Sequence, residues 1–249
     1  MQIAPFEEEM TEALQVDLGL MGYAEAYALQ KRVVAARKTG AIEDVLLLCE
    51  HPPVITLGRS GKLENLLASE NVLRQKGVEF HPSDRGGDIT YHGPGQIVGY
   101  PILNLGAIRR DVVWYVRMLE EAMIRATVEF GIAARRVAGK SGIWVEGGGT
   151  EEKLAAIGVH ISRWVTSHGF AYNVSTDLRN FELIVPCGIA DRKATSLEKL
   201  LGRRVGEKEV TPRIAEHLGE LLGLELKEAS RKELTEKLEC AEQAVAVSV

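Results

Sequence analysis

Cysteine, aromatic residues and long apolar runs are all scarce in this sequence of 249 residues. Its three cysteines are scattered without a CxxC spacing, which argues against a disulfide framework or a zinc site and fits a reducing compartment. No apolar run approaches the roughly 18 residues that a membrane-spanning helix needs. The acidic N-terminus lacks the basic start of a signal or transit peptide. These absences predict a cytoplasmic protein without a membrane partner.

Basic charge is not in excess either. The net charge of -5 and the isoelectric point near 5.8 give no electrostatic reason to expect nucleic acid as a partner. The sequence has no HExxH pair, no GxxxxGK[ST] phosphate loop and no GxGxxG after a strand, which are patterns of metal and nucleotide sites. We therefore expect neither a metal nor another cofactor.

Glycine, by contrast, is concentrated in one stretch. Residues 85–96, with the sequence RGGDITYHGPGQ, hold four glycines and a proline beside Arg, Asp, Thr and His. A structural turn needs one or two glycines to reach positive φ. Four of them among polar groups indicate a loop in which the backbone approaches a ligand closely, the alternative being a glycine-rich connector. We expect a binding or catalytic loop between two strands.

The remaining pattern predicts an α/β fold of the α+β type, a mixed sheet with flanking helices. Helical spacing marks residues 22–38 and the segment that Asp111 caps. Apolar runs predict strands at residues 44–49, 54–57, 96–103, 132–137, 142–146, 153–161 and 164–174. Residues 1–20 show no clear period and are interpreted as a loosely held leader with a short strand near Leu14–Leu18. Further helices are expected to start at Thr211-Pro212 and at Ser230.

Cys187 is the first candidate nucleophile, because it follows an apolar segment and lies between a proline and a glycine. A cysteine is a strong nucleophile only as the thiolate, so it needs a base or a cation nearby. Lys153 heads an otherwise apolar run and becomes a plausible general base if it is partly desolvated. The alternatives are a small buried Cys187 and a solvated Lys153 at the end of its strand.

Two of the histidines also lie in suggestive places. His92 is within the glycine-rich stretch, and His168 interrupts a predicted strand where it would line a pocket. The other four histidines are interpreted as structural or surface residues. Cys49, inside a run of valine and leucine, is predicted to be a buried hydrophobic residue.

With these residues placed, the chain resembles the lipoyl(octanoyl) transferases of lipoate biosynthesis. The resemblance rests on residues 85–96, on residues 153–173, and on residues 186–189 with the nearby 195–197, in matching order and at matching intervals. It covers about residues 15–225. His160 and Tyr172 differ from the family's commoner residues at their positions, and the charged stretch after Lys227 is an extension.

The resemblance implies the fold of the catalytic domains of biotin and lipoate ligases, with a catalytic domain over residues 1–225 and a charged tail over 226–249. It implies that Cys187 forms an acyl-thioester intermediate and that Lys153 is its dyad partner. The acyl-binding residues that it implies are Arg85, Gly86, Gly87, Asp88, Ile89, Thr90, Tyr91, His92, Ala156, Ile157, Gly158, Gly169, Phe170 and Ala171.

The activity implied is transfer of an octanoyl group from octanoyl-acyl carrier protein to a lysine of lipoyl domains, which belong to 2-oxoacid dehydrogenase complexes and to the glycine cleavage H protein. Rival interpretations are an ATP-dependent lipoate or biotin ligase, an amidotransferase between lipoyl domains, and a non-catalytic binder of lipoyl domains or carrier protein. Acyl carrier proteins are acidic, so a local basic patch is expected, with Arg192, Lys193, Arg203 and Arg204 as candidates. We expect a monomer.

Overall fold

The computed structural model describes residues 10–147, 149–185 and 193–247, which form two sheets with helices packed around them. The strands are β1 (Thr11–Leu20), β2 (Asp44–Glu50), β3 (Val54–Leu57), β4 (Glu79–Pro82), β5 (Ile89–His92), β6 (Gln96–Ile102), β7 (Ala134–Val137), β8 (Lys140–Gly147), β9 (Thr150–Ser162), β10 (Val165–Asn173) and β11 (Leu224–Ala229). The helices are α1 (Tyr23–Thr39), α2 (Glu70–Lys76), α3 (Leu105–Ile108), α4 (Val112–Val128), α5 (Leu197–Leu201), α6 (Glu207–Leu222) and α7 (Arg231–Val247).

The larger sheet has the strand order β11-β1-β2-β6-β10-β9-β8-β7. Strands β11, β1 and β2 run parallel to one another, and every pairing from β2 to β7 is antiparallel. The smaller sheet has the order β4-β3-β5. The α/β class predicted from the sequence, a mixed sheet with flanking helices, is confirmed.

Helices cover both faces of the larger sheet. On one face α4 and α6 bury Leu119 and Ile214 against β6 and β10. On the other face α1 and α7 bury Val33 and Leu238 against β1 and β2. Burial on both faces explains why β2 is apolar along almost its whole length, with Cys49 only 4% exposed. That cysteine is the buried residue that the sequence predicted.

The N-terminal strand is longer than the short strand predicted near Leu14–Leu18. Thr11–Leu20 is a ten-residue strand between β11 and β2, with Val16 fully buried. Because both edges of β1 are paired and helices cover parts of both faces, neither a helical period nor a clean alternation marks this strand in the sequence. The described part of the supposed leader is therefore integral to the sheet.

The helix expected to start at Thr211-Pro212 starts earlier. Helix α6 begins at Glu207, and Pro212 lies inside it. The Gly206 N–H donates to Glu209 Oε1 at 3.0 Å, which closes the first turn upstream of the proline. Burial of the apolar face of α6 against α4 offsets the backbone hydrogen bond that a proline cannot make.

The C-terminal residues are also ordered into the fold. The expected boundary at residue 225 falls inside β11, which pairs with β1, and the Ser230–Glu233 capping box opens a helix of 17 residues. Ion pairs such as Arg32–Glu242, at 2.7 Å, fasten α7 to α1. No helix in the described ranges is long and apolar enough to cross a membrane.

Candidate active site

A cavity of about 340 Å³ opens among β5, β6, β8, β9 and β10. Its walls include apolar groups of Val98, Ile157 and Phe170 as well as charged side chains. The candidate residues that line it are Arg85, Gly87, Asp88, Ile89, Thr90, His92, Lys153, Ala156, Ile157, Gly158, His168, Gly169, Phe170 and Ala171. Gly86 and Tyr91 are absent from the lining. The tertiary structure thus gathers residues of two distant sequence blocks, 85–96 and 153–173, around one space.

Two glycines bring the first of these blocks against β9. Gly86 N–H donates to Val159 O at 3.0 Å, and a Cβ on Gly158 would approach Gly86 O to 2.7 Å. A side chain at residue 158 would therefore push the loop off the strand. The loop is not continuous coil, however, because residues 89–92 form β5 and pair with β3. The predicted glycine-rich loop is thus a short approach segment followed by a strand.

Lys153 lies at one end of the cavity, and its backbone is held on the edge of β9. Lys153 N–H donates to Lys193 O at 2.9 Å, and Thr195 N–H donates to Lys153 O at 2.9 Å. The side chain is half-buried, with Nζ 4.6 Å from the centroid of the Trp144 ring. This is neither a fully solvated flank nor a buried core position.

Cys187 lies outside the described residues, as do Pro186, Gly188 and Arg192. The residues that border this segment are held by backbone hydrogen bonds. Val185 N–H donates to Asn65 O at 2.8 Å. Lys193, on the other side, lines the cavity and pairs with Lys153.

A directional chain of hydrogen bonds runs from the glycine-rich block towards Lys153, beginning at Arg85. Arg85 Nε donates to Thr56 Oγ1 at 3.0 Å, and that hydroxyl lies 3.4 Å from His92 Nε2. On the other side of the ring, His92 Nδ1 lies 2.8 Å from Gln96 Oε1. Because the amide oxygen accepts, Nδ1 carries the proton and Nε2 is the acceptor.

The chain continues in the same direction from Gln96. Gln96 Nε2 donates to Asn173 Oδ1 at 2.8 Å, and Asn173 Nδ2 donates to Thr195 O at 3.0 Å. The Thr195 N–H then donates to the Lys153 carbonyl. Gln96 and Asn173 are 2% and 4% exposed, so each amide depends on these partners. The position of the Lys153 backbone is thereby coupled to that of Arg85.

Burial keeps His92 neutral. It lowers the pKa of His92 to about 3, and the nearby His51 and Arg85 act in the same direction. A neutral imidazole with one donor and one acceptor suits the directional chain, whereas an imidazolium would have two donors. His92 therefore has a fixed tautomer at neutral pH.

The opposite end of the cavity holds His168. It lies five positions before Asn173 on β10, about 16 Å along the strand. His168 Nε2 lies 2.7 Å from Asp84 Oδ1, and Tyr27 OH donates to the same oxygen at 2.8 Å. Its φ of 55° is in the left-handed region, and its N–H donates to Gln30 Oε1 at 2.9 Å. The interruption expected in β10 is thus a local change of backbone conformation.

Burial also lowers the pKa of His168, although Asp84 opposes the shift. For the Asp84 carboxyl, burial alone would raise the pKa, but hydrogen bonds from His168 and Tyr27 outweigh it and lower the pKa. This pair is therefore a carboxylate beside a neutral imidazole rather than two opposite charges.

The sequence did not single out Gln96, Tyr100, Trp144 and Asn173, which line the cavity, as site residues. It also missed Thr56, which belongs to the chain of hydrogen bonds. Gln96 and Asn173 stand at the ends of recognised blocks, so their position was a usable signal. Thr56, Trp144 and Tyr100 lie inside strands. At such positions the sequence does not show whether a polar or aromatic side chain belongs to the site or to the core. Their role becomes visible only when the strands are paired.

The comparisons with known proteins match this architecture. The model of the lipoyl protein ligase A/B catalytic domain matches residues 22–219. An octanoyltransferase of Acidobacterium capsulatum is 57% identical over 190 residues, covering 73% of this chain and 77% of that protein. An octanoyltransferase of Solibacter usitatus is 52% identical over 209 residues, covering 84% and 92%. The chain belongs to the lipoyl protein ligase A/B family. The resemblance to the lipoyl(octanoyl) transferases, predicted from the sequence, is also confirmed.

Solved structures of family members share the fold. A chain in the structure of a bipartite lipoate protein ligase and its E2 lipoyl domain, from Thermoplasma acidophilum, superposes with a TM-score of 0.73 at 17% identity, covering 94% of this chain and 91% of that one. A lipoate-protein ligase A bound with ATP gives a TM-score of 0.69 at 16% identity, covering 94% and 93%. At such identities the likeness confirms the ligase-like fold.

Proposed function

We propose that this chain transfers an octanoyl group from octanoyl-acyl carrier protein to a lysine side chain of lipoyl domains, through a thioester on Cys187 and with Lys153 as the dyad partner. The observation that carries the proposal is the position of Lys153 at the end of a partly apolar cavity, hydrogen-bonded to Lys193. Lys193 is only six positions after Cys187 in the sequence. An extended chain of that length spans at most about 21 Å, so the cysteine is within reach of this end.

The cavity suits an acyl chain. Val98, Ile157, Phe170 and Ala171 supply apolar surface between its two ends, and each methylene that leaves water contributes about 0.8 kcal/mol. The roughly 16 Å from Asn173 to His168 along β10 accommodates an extended eight-carbon chain. The similarity to proteins named octanoyltransferase supports the same choice of acyl group.

The chemistry needs two exchanges at the acyl carbon. The Cys187 thiolate attacks the donor thioester, a new carbon–sulfur bond forms, and the carrier thiolate leaves and takes the proton held by Lys153. The neutral amine of the acceptor lysine then attacks the enzyme thioester, and an amide forms. The Cys187 thiolate leaves, and the proton lost by the amine returns to Lys153. Because both thioesters have similar energy, the intermediate persists while one carrier leaves and the next one docks.

Intact mass after brief incubation with octanoyl-carrier protein tests the proposal. We expect one octanoyl adduct, removed by hydroxylamine and absent from Cys187→Ala, followed by transfer to an added lipoyl domain. Retained transferase activity in Cys187→Ala would overturn the covalent route.

The choice of donor separates this proposal from its rivals. Adenylation of free octanoate or lipoate with ATP would identify a ligase, and efficient transfer from an octanoylated lipoyl domain would identify an amidotransferase. Lipoyl domains of 2-oxoacid dehydrogenases and the glycine cleavage H protein are the acceptors to compare. The monomeric state and the cytoplasmic location also stay predictions, which gel filtration and cell fractionation check.

A further inference from the structure

Trp144 stands directly across from Lys153 at the lysine end of the cavity. The two residues are cross-strand partners on β8 and β9, next to a register shift between Ile143 and Trp144. Cross-strand partners project to the same face of a sheet. Trp144 is only 3% exposed, lines the cavity, and has the Lys153 Nζ above its ring at 4.6 Å.

We propose that Trp144 is a positioning residue for the transfer reaction: its ring face holds the Lys153 ammonium at the cavity end and favours the charged form of that amine. The electron-rich face of an indole attracts a cation, and the attraction strengthens when water is excluded. This inference rests on the proposed role of Lys153. It favours the thiolate–ammonium form of the resting dyad over the neutral thiol–amine form.

Other charges act on the same ammonium. Lys140 Nζ lies 5.5 Å from the same ring centroid, and Lys193 lines the same cavity. These cations disfavour a charged Lys153. Glu152 would favour it, but Lys199 Nζ lies 2.9 Å from that carboxylate and balances it. Arg85 and Asp88 line the cavity with opposite charges, and Cys187 lies outside the described residues. The indole face thus opposes the effect of the cations among the described residues.

Fluorinated tryptophan tests the contribution of the Trp144 ring to the Lys153 pKa, because fluorine withdraws electron density from the ring face with little change in shape. The chain has three tryptophans, so mono-, di- and tetrafluorinated tryptophan would replace all of them. The pKa of Lys153 would be followed by NMR of labelled lysine side chains, with the resonance assigned by its loss in Lys153→Arg. We expect the pKa to fall in steps, by about one unit in total.

The matched control is the same fluorination series in Trp144→Phe. Trp114 and Trp164, which face Arg109 and Arg110, remain there as the labelled residues. The Lys153 pKa should not respond to fluorination in this background. Since the phenyl face retains part of the attraction, Trp144→Phe should have a higher Lys153 pKa than Trp144→Leu. An equal Lys153 pKa across the fluorinated series with Trp144 intact would overturn the inference.

A second readout separates this inference from the proposed function. The NMR titration needs no turnover, so it reports the ring's hold on the ammonium even if Lys153 has no catalytic role. The rate of Cys187 octanoylation is also measured against pH. If the midpoint of its alkaline limb shifts to lower pH together with the Lys153 pKa, the positioning role is supported. If the pKa moves and the limb does not, the positioning role in the reaction is overturned, while the covalent route through Cys187 stands on its own mass measurement.

Discussion

The two ends of the cavity differ in how they handle charge. At one end Lys140 and Lys153 lie near the Trp144 ring, and Lys193 also lines the cavity. At the other end His168 is 2% exposed and hydrogen-bonded to Asp84, with its pKa lowered by burial. The lysines at the first end are partly exposed to solvent, whereas burial keeps the His168 imidazole neutral at the second end. The first suits proton transfer to a thiol, and the second suits a structural wall.

The largest effect is expected at the lysine end. Lys153→Ala should slow formation of the octanoyl adduct by about 10²- to 10⁴-fold, the usual contribution of a positioned acid or base. Rapid-quench mass spectrometry gives this rate. Lys140→Ala is the matched control, because Lys140 lines the same end without pairing to the Lys193 backbone; we expect a loss below tenfold for it. Equal losses of adduct rate in the two variants would mean that Lys153 acts only as a nearby positive charge and not as a positioned acid or base.

The connection between the ends is expected to be next in size. Asn173→Ala leaves the Gln96 amide and the Thr195 carbonyl without their partner, so the free energy of unfolding should fall by about 1–3 kcal/mol, with slower adduct formation. Urea unfolding measures the first effect. Asn180→Ala, which removes a hydrogen bond to Tyr91 OH outside the cavity lining, should lose about 0.5–1.5 kcal/mol and leave the adduct rate nearly unchanged. Similar rates for the two variants would contradict the coupling.

The histidine residues should make the fold sensitive to acid. The pKa of His92 is lowered to about 3 from 6.5, and burial also lowers the pKa values of His51 and His168. The unfolded chain therefore binds more protons, so this stability is fully present above about pH 6.5 and is lost as the pH falls towards 3. Each such histidine contributes a slope of up to about 1.4 kcal/mol per pH unit.

Chemical unfolding at several pH values between 7 and 4 checks the slope. His92→Gln should flatten it, whatever the variant does to stability at pH 7. His81→Gln is the control, because His81 is 32% exposed and next to Glu79. If His92→Gln keeps the slope of the unaltered protein, the acid sensitivity does not come from His92.

The smallest effect is expected on the surface beyond α5. Arg203 and Arg204 are exposed, beyond the C-terminal end of α5, and Arg203 lies 3.6 Å from Glu209. Reversing both charges should raise the apparent KM for octanoyl-carrier protein by about three- to tenfold at low salt and less at high salt. Lys232→Glu on α7 is the control for net charge. An unchanged KM would remove these two residues from the expected basic patch.

The sequence was most informative where one local rule decides the structure. Gly40, at φ 74°, ends α1, and Asp111 caps α4, because these end positions need particular residues whatever lies around them. It was least informative for β1 and for α6. Because β1 is paired on both edges, its sequence lacks the alternation typical of a strand. In α6, packing against α4 allows the helix to include a proline that would normally mark its start.

The same division applies to the site. The sequence by itself determined the chemical inventory: a lone cysteine between proline and glycine, a lysine before an apolar strand, and a glycine-rich block. Only the tertiary structure decided that Trp144 faces Lys153, that His92, Gln96 and Asn173 form one directional chain, and that His168 stands at the far end. These relations depend on strand register, because a shift by one residue turns each side chain to the opposite face.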